Sequence, residues 1–319
     1  MKKNLLRFIF LWLAVLFVSG GLHAENQIRK ETYIYSVKSS DTLRLDKYDI
    51  PGNDVKPCVI FMFGGGFFTG ARDLEFYIPY YHFLVENGFS VVAIDYRLGF
   101  KNVQEQKGMK ARDFLDLFER TIFMAVEDLY DATNFVLDHA SEWNVNKEMI
   151  VTSGSSAGAI SVLQGEYERC NRTPVAQCLP ADFKYAGVVA FAGAIYSNQG
   201  HLKWKGLPAP LQLFHGEADK NVPFDKVKFG KLGFFGSDYI AGKYDKNNFP
   251  YYFYMEKNVD HKLAGSPMVE NKEEILVFLN KYVRDKQALK TNAVVDDIHK
   301  PVVKKNFKIK DYVKTNFGL

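Results

Sequence analysis

Continuous apolar runs alternating with stretches of helical period are the feature that most limits what this chain can fold into. The runs are Val59–Phe63, Ser90–Ile94, Met149–Thr152, Gly187–Phe191, Leu211–Phe214 and Tyr251–Tyr254. None has the in–out alternation of a strand with one wet face, so each reads as a strand buried on both sides. Between them, apolar residues at helical spacing predict helices over Phe76–Asn87, Arg120–Ala140, Ala157–Arg169 and Lys272–Arg284. Together these predict an α/β chain with a mostly parallel central sheet and helices on both faces. Ahead of it, alternation at Thr32–Val37 and Thr42–Tyr48 predicts two antiparallel strands joined at Lys38–Asp41. With 319 residues, 47% of them hydrophobic, the chain can fill one large core, and no repeat or Pro/Gly-rich linker divides it.

The two ends read differently. Lys2, Lys3 and Arg7 form a basic head, Phe8–Val18 an apolar run, and small residues Ser19–Gly21 and Ala24 follow. Residues 1–24 therefore read as a signal peptide cleaved after Ala24, and the protein as exported, periplasmic or extracellular. The apolar run is shorter than the ~20 residues needed to cross a bilayer, so no stable membrane insertion is expected after cleavage. Residues 25–287 form the folded domain, and 288–319 a basic C-terminal extension expected to lie on its outside. That extension carries seven lysines against three aspartates, an excess equal to the net +4 of the whole chain. With 41 basic and 37 acidic residues overall, nothing calls for a nucleic acid or other polyanionic partner. Cys170 and Cys178 lie close together in a polar, turn-rich segment, and an oxidising compartment would let them pair, a short bridge worth about 2–3 kcal/mol. Cys58 sits inside an apolar run and reads as a small buried hydrophobe.

The chemistry-bearing segments follow the strands. Gly154-Ser155-Ser156-Ala157-Gly158 stands directly between a predicted strand and a predicted helix. A nucleophile exposed on so sharp a turn needs small residues two before and two after it, and the helix that follows offers free backbone N–H groups. Phe63-Gly64-Gly65-Gly66-Phe67 ends another strand, and its glycines would bring N–H groups close to an oxyanion with no side chain in the way. Gly64, Gly66 and Gly70 also imitate a dinucleotide fingerprint, but the third glycine comes one residue late and the Ser156 turn stays unexplained. After Leu211–Phe214 come His215, Glu217, Asp219 and Asp225. Asp219 is the first candidate for an acid that orients an imidazole, Glu217 and Asp225 are alternatives, and His215 reads as a brace for the loop. Asp260-His261 follows the last strand, where a loop histidine can reach over the sheet. Leu98–Asp113 and Phe224–Pro250 break the rhythm and are candidates for a lid or an acyl-pocket wall.

Nucleophile, acid and histidine thus occur in the order Ser156, Asp219, His261, each just past a predicted strand, which is the order of the α/β-hydrolase fold. On these segments, with Asp95-Tyr96-Arg97-Leu98 and Val126-Glu127-Asp128, the chain resembles the α/β-hydrolase carboxylesterases from about Val55 to Arg284, especially the bacterial esterase/lipase and feruloyl-esterase-like branch. The resemblance implies a Ser156–His261–Asp219 triad and an oxyanion hole from the N–H groups of Gly65, Gly66 and Ala157, with Gly64 able to replace one of them. It further implies ester hydrolysis through an acyl-enzyme without metal or organic cofactor, on a small-molecule or carbohydrate ester. Asp95 and Arg97 would brace the loops under the site, either directly or as a buried salt bridge. Many such enzymes place a histidine before the glycines where this chain has Phe63, so the hydrogen bonding it provides must come from elsewhere. Two other readings fit the elbow: a serine peptidase of the same fold, and a non-catalytic binding protein.

Overall fold

The computed structural model describes residues 27–39, 41–101, 111–303 and 315. The expected signal peptide, most of Leu98–Asp113 and most of the tail beyond Val303 lie outside the described residues. The strands are β1 (Arg29–Lys38), β2 (Asp41–Asp49), β3 (Lys56–Met62), β4 (Ser90–Ile94), β5 (Val145–Ser155), β6 (Gly187–Phe191), β7 (Ala194–Ser197), β8 (Leu211–Gly216), β9 (Lys226–Phe229), β10 (Leu232–Gly236), β11 (Tyr251–Glu256) and β12 (Lys290–Val295). The α-helices are α1 (Ile78–Glu86), α2 (Ala111–His139), α3 (Ala157–Asn171), α4 (Ser237–Lys246), α5 (Pro267–Glu270) and α6 (Lys272–Phe278).

Nine strands form the main sheet in the order β1-β2-β4-β3-β5-β6-β8-β11-β12. β1 and β2 are antiparallel to each other, β2 is antiparallel to β4, and every pairing from β4 to β12 is parallel. Burial explains the apolar runs: all residues of β4, β6 and β8 are buried, because helices cover both faces of the sheet. Gln212, a buried polar residue inside β8, donates to the Glu274 carbonyl at 2.8 Å. Helix α2 packs on α3, while α1, α5 and α6 pack together. No helix among the described residues is long and apolar enough to cross a membrane.

Four expectations need correction. The segment Phe224–Pro250 is regular where the sequence showed no period: β9, β10 and α4 lie in it, and β7-β10-β9 make a second small antiparallel sheet. The folded domain does not stop at 287, because β12 extends the main sheet by pairing with β11 from Tyr251↔Lys290 to Glu256↔Val295. Cys170 and Cys178 do not pair. Cys170 is buried at the end of α3 beside Gly206, while the exposed Cys178 turns its thiol to the Val175 carbonyl at 3.4 Å within the 3₁₀ turn Pro174–Cys178. Proximity in sequence does not converge the two sulfurs, because a helix end and a separate turn set their directions. Helix α2 also begins at Ala111, nine residues before its expected start at Arg120.

Candidate active site

Ser156 stands between the end of β5 and the start of α3 with φ 49° and ψ −111°, a conformation that non-glycine residues seldom adopt. The surrounding glycines are required by space. A Cβ on Gly158 would lie 2.1 Å from the Met62 carbonyl oxygen, and one on Gly154 would lie 2.4 Å from the backbone of Gly158. The strained turn is pinned by Ser156 N–H donating to the Phe191 carbonyl at 2.8 Å, and by Ile160 N–H donating to the Ser156 carbonyl at 2.9 Å. It leaves the Ser156 hydroxyl half-buried and 2.8 Å from Nε2 of His261.

His261 begins a 3₁₀ turn, His261–Ala264, capped by the Asp260 carboxylate accepting from the Lys262 N–H. Its Nδ1 lies 2.6 Å from Oδ2 of Asp219, whose side chain is fully buried. Backbone bonds tie the acid's loop to the strand and loop leading to the histidine: Glu217 N–H donates to Glu256 O at 2.9 Å and Ala218 N–H to Val259 O at 2.8 Å. Oδ1 of Asp219 accepts from the N–H groups of Asn221 at 2.7 Å and Val222 at 3.0 Å. Burial opposes ionisation of Asp219, but hydrogen bonds from His215 and His261 outweigh it and hold the carboxyl well below the usual carboxylate range. The alternatives are placed elsewhere. Glu217 accepts from the Asn258 N–H at 3.4 Å, and Asp225 is exposed beside Lys226 at 3.0 Å. Thus Ser156, His261 and Asp219 converge in one hydrogen-bonded chain.

The glycine turn packs directly on the elbow: a Cβ on Gly64 would meet the Ser155 hydroxyl at 2.9 Å and the Ser156 Cβ at 3.4 Å. Gly64 cannot serve as the substitute oxyanion donor, because its N–H donates to the Tyr77 hydroxyl at 3.0 Å. Gly65 has φ +132°, and its carbonyl turns back to accept from Phe68 and Thr69 at 3.0 and 3.1 Å. The turn leaves Gly65 half-buried and Gly66 exposed, and the Ala157 N–H, in the first turn of α3, lacks an intrahelical acceptor. Two tyrosines hold the glycine segment in place. Tyr96 stacks on Phe63 at 4.4 Å and donates to its carbonyl at 2.8 Å, while Tyr77 receives the Gly64 N–H.

Asp95 and Arg97 do not pair with each other. Arg72 grips Asp95 with a guanidinium nitrogen 2.8 and 2.7 Å from the two carboxylate oxygens and also reaches buried Asp46 at 3.1 Å. Arg97 binds buried Asp128 at 2.7–3.1 Å and reaches Glu127 at 3.0 Å. These pairs fix the segment after β4 to β2 and α2. Sequence reasoning missed Tyr77, Arg72 and Ser155. Tyr77 hides among neighbouring tyrosines Tyr80 and Tyr81, and Arg72 in a loop with no period to mark it.

No family model and no curated protein matches the chain. Solved structures do. The apo form of esterase 2 from Thermogutta terrifontis matches with a TM-score of 0.58 at 19% identity, covering 82% of this chain and 96% of that chain. Its propionate-bound form matches with 0.54 at 20% identity over 78% and 93% of the two chains. The same enzyme phosphorylated by paraoxon matches with 0.56 at 20%, again over 78% and 93%. At that identity the likeness is one of architecture, and with the mostly parallel sheet and its covering helices it shows that this chain has the α/β-hydrolase fold.

Proposed function

We propose that this protein is an exported serine hydrolase that cleaves carboxylic esters through an acyl-enzyme on Ser156. The observation that carries the reading is the chain from Ser156 Oγ to His261 Nε2 at 2.8 Å and from His261 Nδ1 to Asp219 Oδ2 at 2.6 Å, placed at a strained elbow. His261 takes the Ser156 proton as the hydroxyl attacks the ester carbonyl, and ionised Asp219 stabilises the imidazolium that forms. The tetrahedral oxyanion is held by the N–H groups of Gly65, Gly66 and Ala157. His261 then protonates the departing alcohol, and water releases the acid by the same steps in reverse. The structurally similar enzyme has been captured with propionate and with butyrate, which favours short acyl groups here, and acylated carbohydrates are the natural second panel for an exported hydrolase.

The test is hydrolysis of p-nitrophenyl esters from acetate to octanoate by the mature protein. Short-chain activity is expected, with Ser156→Ala lowering kcat by on the order of 10⁴–10⁶-fold. A folded wild type that cleaves no ester of the series, or a Ser156→Ala variant as active as wild type, would overturn the reading. Export is tested separately by N-terminal sequencing: mature chain beginning at Glu25 supports it, and intact Met1 on the accumulated protein refutes it.

A further inference from the structure

A second histidine lies against the triad acid from behind. His215, at the end of β8, is fully buried. Its Nε2 lies 3.3 Å from Oδ2 of Asp219, the same oxygen that His261 Nδ1 approaches to 2.6 Å, and 3.2 Å from the Val222 carbonyl. A carbonyl and an ionised carboxylate only accept, so Nε2 carries the proton and divides it between them. On the other side of the ring Nδ1 meets the hydroxyl of Ser237 at 2.8 Å. Ser237 is buried at the start of α4, with the Gly193 carbonyl 3.5 Å beyond. The Ser237 hydroxyl is thus the partner of Nδ1 and holds the ring with its Nε2–H toward Asp219. The Phe224 ring, edge-on at 5.6 Å and 89°, closes the pocket. Asp238, next along α4, is the further acidic group that interacts with His215.

We infer that His215 is a positioning residue for the reaction: with Ser237 behind it, it aims an N–H at Asp219 and so sets the orientation and acceptor strength of the carboxylate that holds His261. This rests on the serine-hydrolase reading above and adds a link to it, so that the working chain runs Ser237–His215–Asp219–His261–Ser156. All four donors to Asp219 then have assigned tasks. The two backbone N–H groups hold Oδ1, while His215 and His261 share Oδ2. Removing the His215 donor leaves Oδ2 to His261 alone. The carboxylate then becomes a stronger acceptor and is freer to rotate, which misaligns the imidazole with Ser156 without touching the substrate site.

The isosteric pair of amides separates this role from packing. In His215→Gln the amide nitrogen reaches the position of Nε2 and can still donate to Asp219; in His215→Asn it stops at the position of Nδ1 and cannot. The expected result is a kcat lowered about tenfold in His215→Asn with KM unchanged, and largely restored in His215→Gln. A second readout needs no substrate. Proton NMR of the free mature protein should show the low-field resonance of the His261–Asp219 hydrogen bond, displaced further downfield in His215→Asn and near its wild-type position in His215→Gln. Ser237→Ala, which leaves the imidazole in place but removes the partner of its Nδ1, should shift kcat and the resonance in the same direction by less, and serves if His215→Asn does not fold. The inference is overturned if the resonance stays in place in the Asn and Ala variants, or if Asn and Gln lose activity equally and only in proportion to folded protein. If wild type proves inactive on every ester, the function proposed above falls, while the resonance still decides whether His215 acts on Asp219.

Discussion

The hydroxyl of Ser155 donates to the carbonyl of Ala264 at 2.7 Å. The residue before Ser156 is thereby tied to the turn that carries His261, so one bond helps fix the distance between the Ser156 hydroxyl and the His261 imidazole. Ser155→Ala should leave that carbonyl without its partner, at a cost of about 1 kcal/mol, and lower Tm by about 2–4 °C. It should also lower kcat with KM unchanged; a thermal loss with kcat intact would confine the bond to stability. Asp219 makes a different prediction. Its carboxyl titrates below its unfolded value near 3.9, so the folded state binds fewer protons there. Its contribution to stability is fully present above that unfolded value and declines as pH falls from about 5 through 4 and below. Urea midpoints measured between pH 7 and 3 should therefore fall more steeply for wild type than for Asp219→Asn, and parallel curves would refute the assignment.

Among the elements, legibility in the sequence tracked burial. The strands that line the site carry their own signal, since β4, β6 and β8 are buried along their whole length and appear as unbroken apolar runs. Asp219 follows β8, Ser156 follows the buried C-terminal half of β5, and His261 follows β11, whose run Tyr251–Tyr254 is apolar although only alternate residues are buried. These three could be picked out from the runs before them. Elements at the margin could not. Strand β12 reads Lys-Thr-Asn-Ala-Val-Val, alternately exposed and partly covered, and β9 is almost wholly exposed, so neither has an apolar run to announce it. Tertiary contacts define β12 instead: Asn292 donates to the Tyr251 hydroxyl at 2.8 Å, and Thr291 and Tyr282 share a hydrogen bond at 2.8 Å. Ending the chain at Gln287 should remove both bonds and uncover the β11 edge. With about 1 kcal/mol for each lost bond, Tm should drop by roughly 4–8 °C or more. Activity at 25 °C should persist in the folded fraction, because β12 carries none of Ser156, Asp219 and His261. Unchanged Tm would show that the edge strand adds nothing to the sheet.

At the scale of the molecule, the site exists only as a product of the whole fold. Ser156 and His261 are 105 positions apart in sequence, and longer ties hold the frame around them. Arg284 donates to the carbonyls of Asn87 and Gly88 at 3.0 and 3.1 Å, joining the turn after α6 to the connection between α1 and β4. None of these ties is covalent. The three cysteines are free, and burial raises each thiol, Cys58 up to about 12, which leaves little thiolate to start exchange. Stability must then come from the buried core and its ion pairs, and it should be indifferent to redox conditions. The expected outcome is the same Tm with and without a thiol reductant, and three titratable thiols in the unreduced, denatured protein. A bridge between Cys170 and Cys178 would instead leave one thiol and add about 2–3 kcal/mol, so that reduction would lower Tm by about 4–12 °C. That result would mean the turn Pro174–Cys178 rearranges to bring its exposed sulfur to the end of α3.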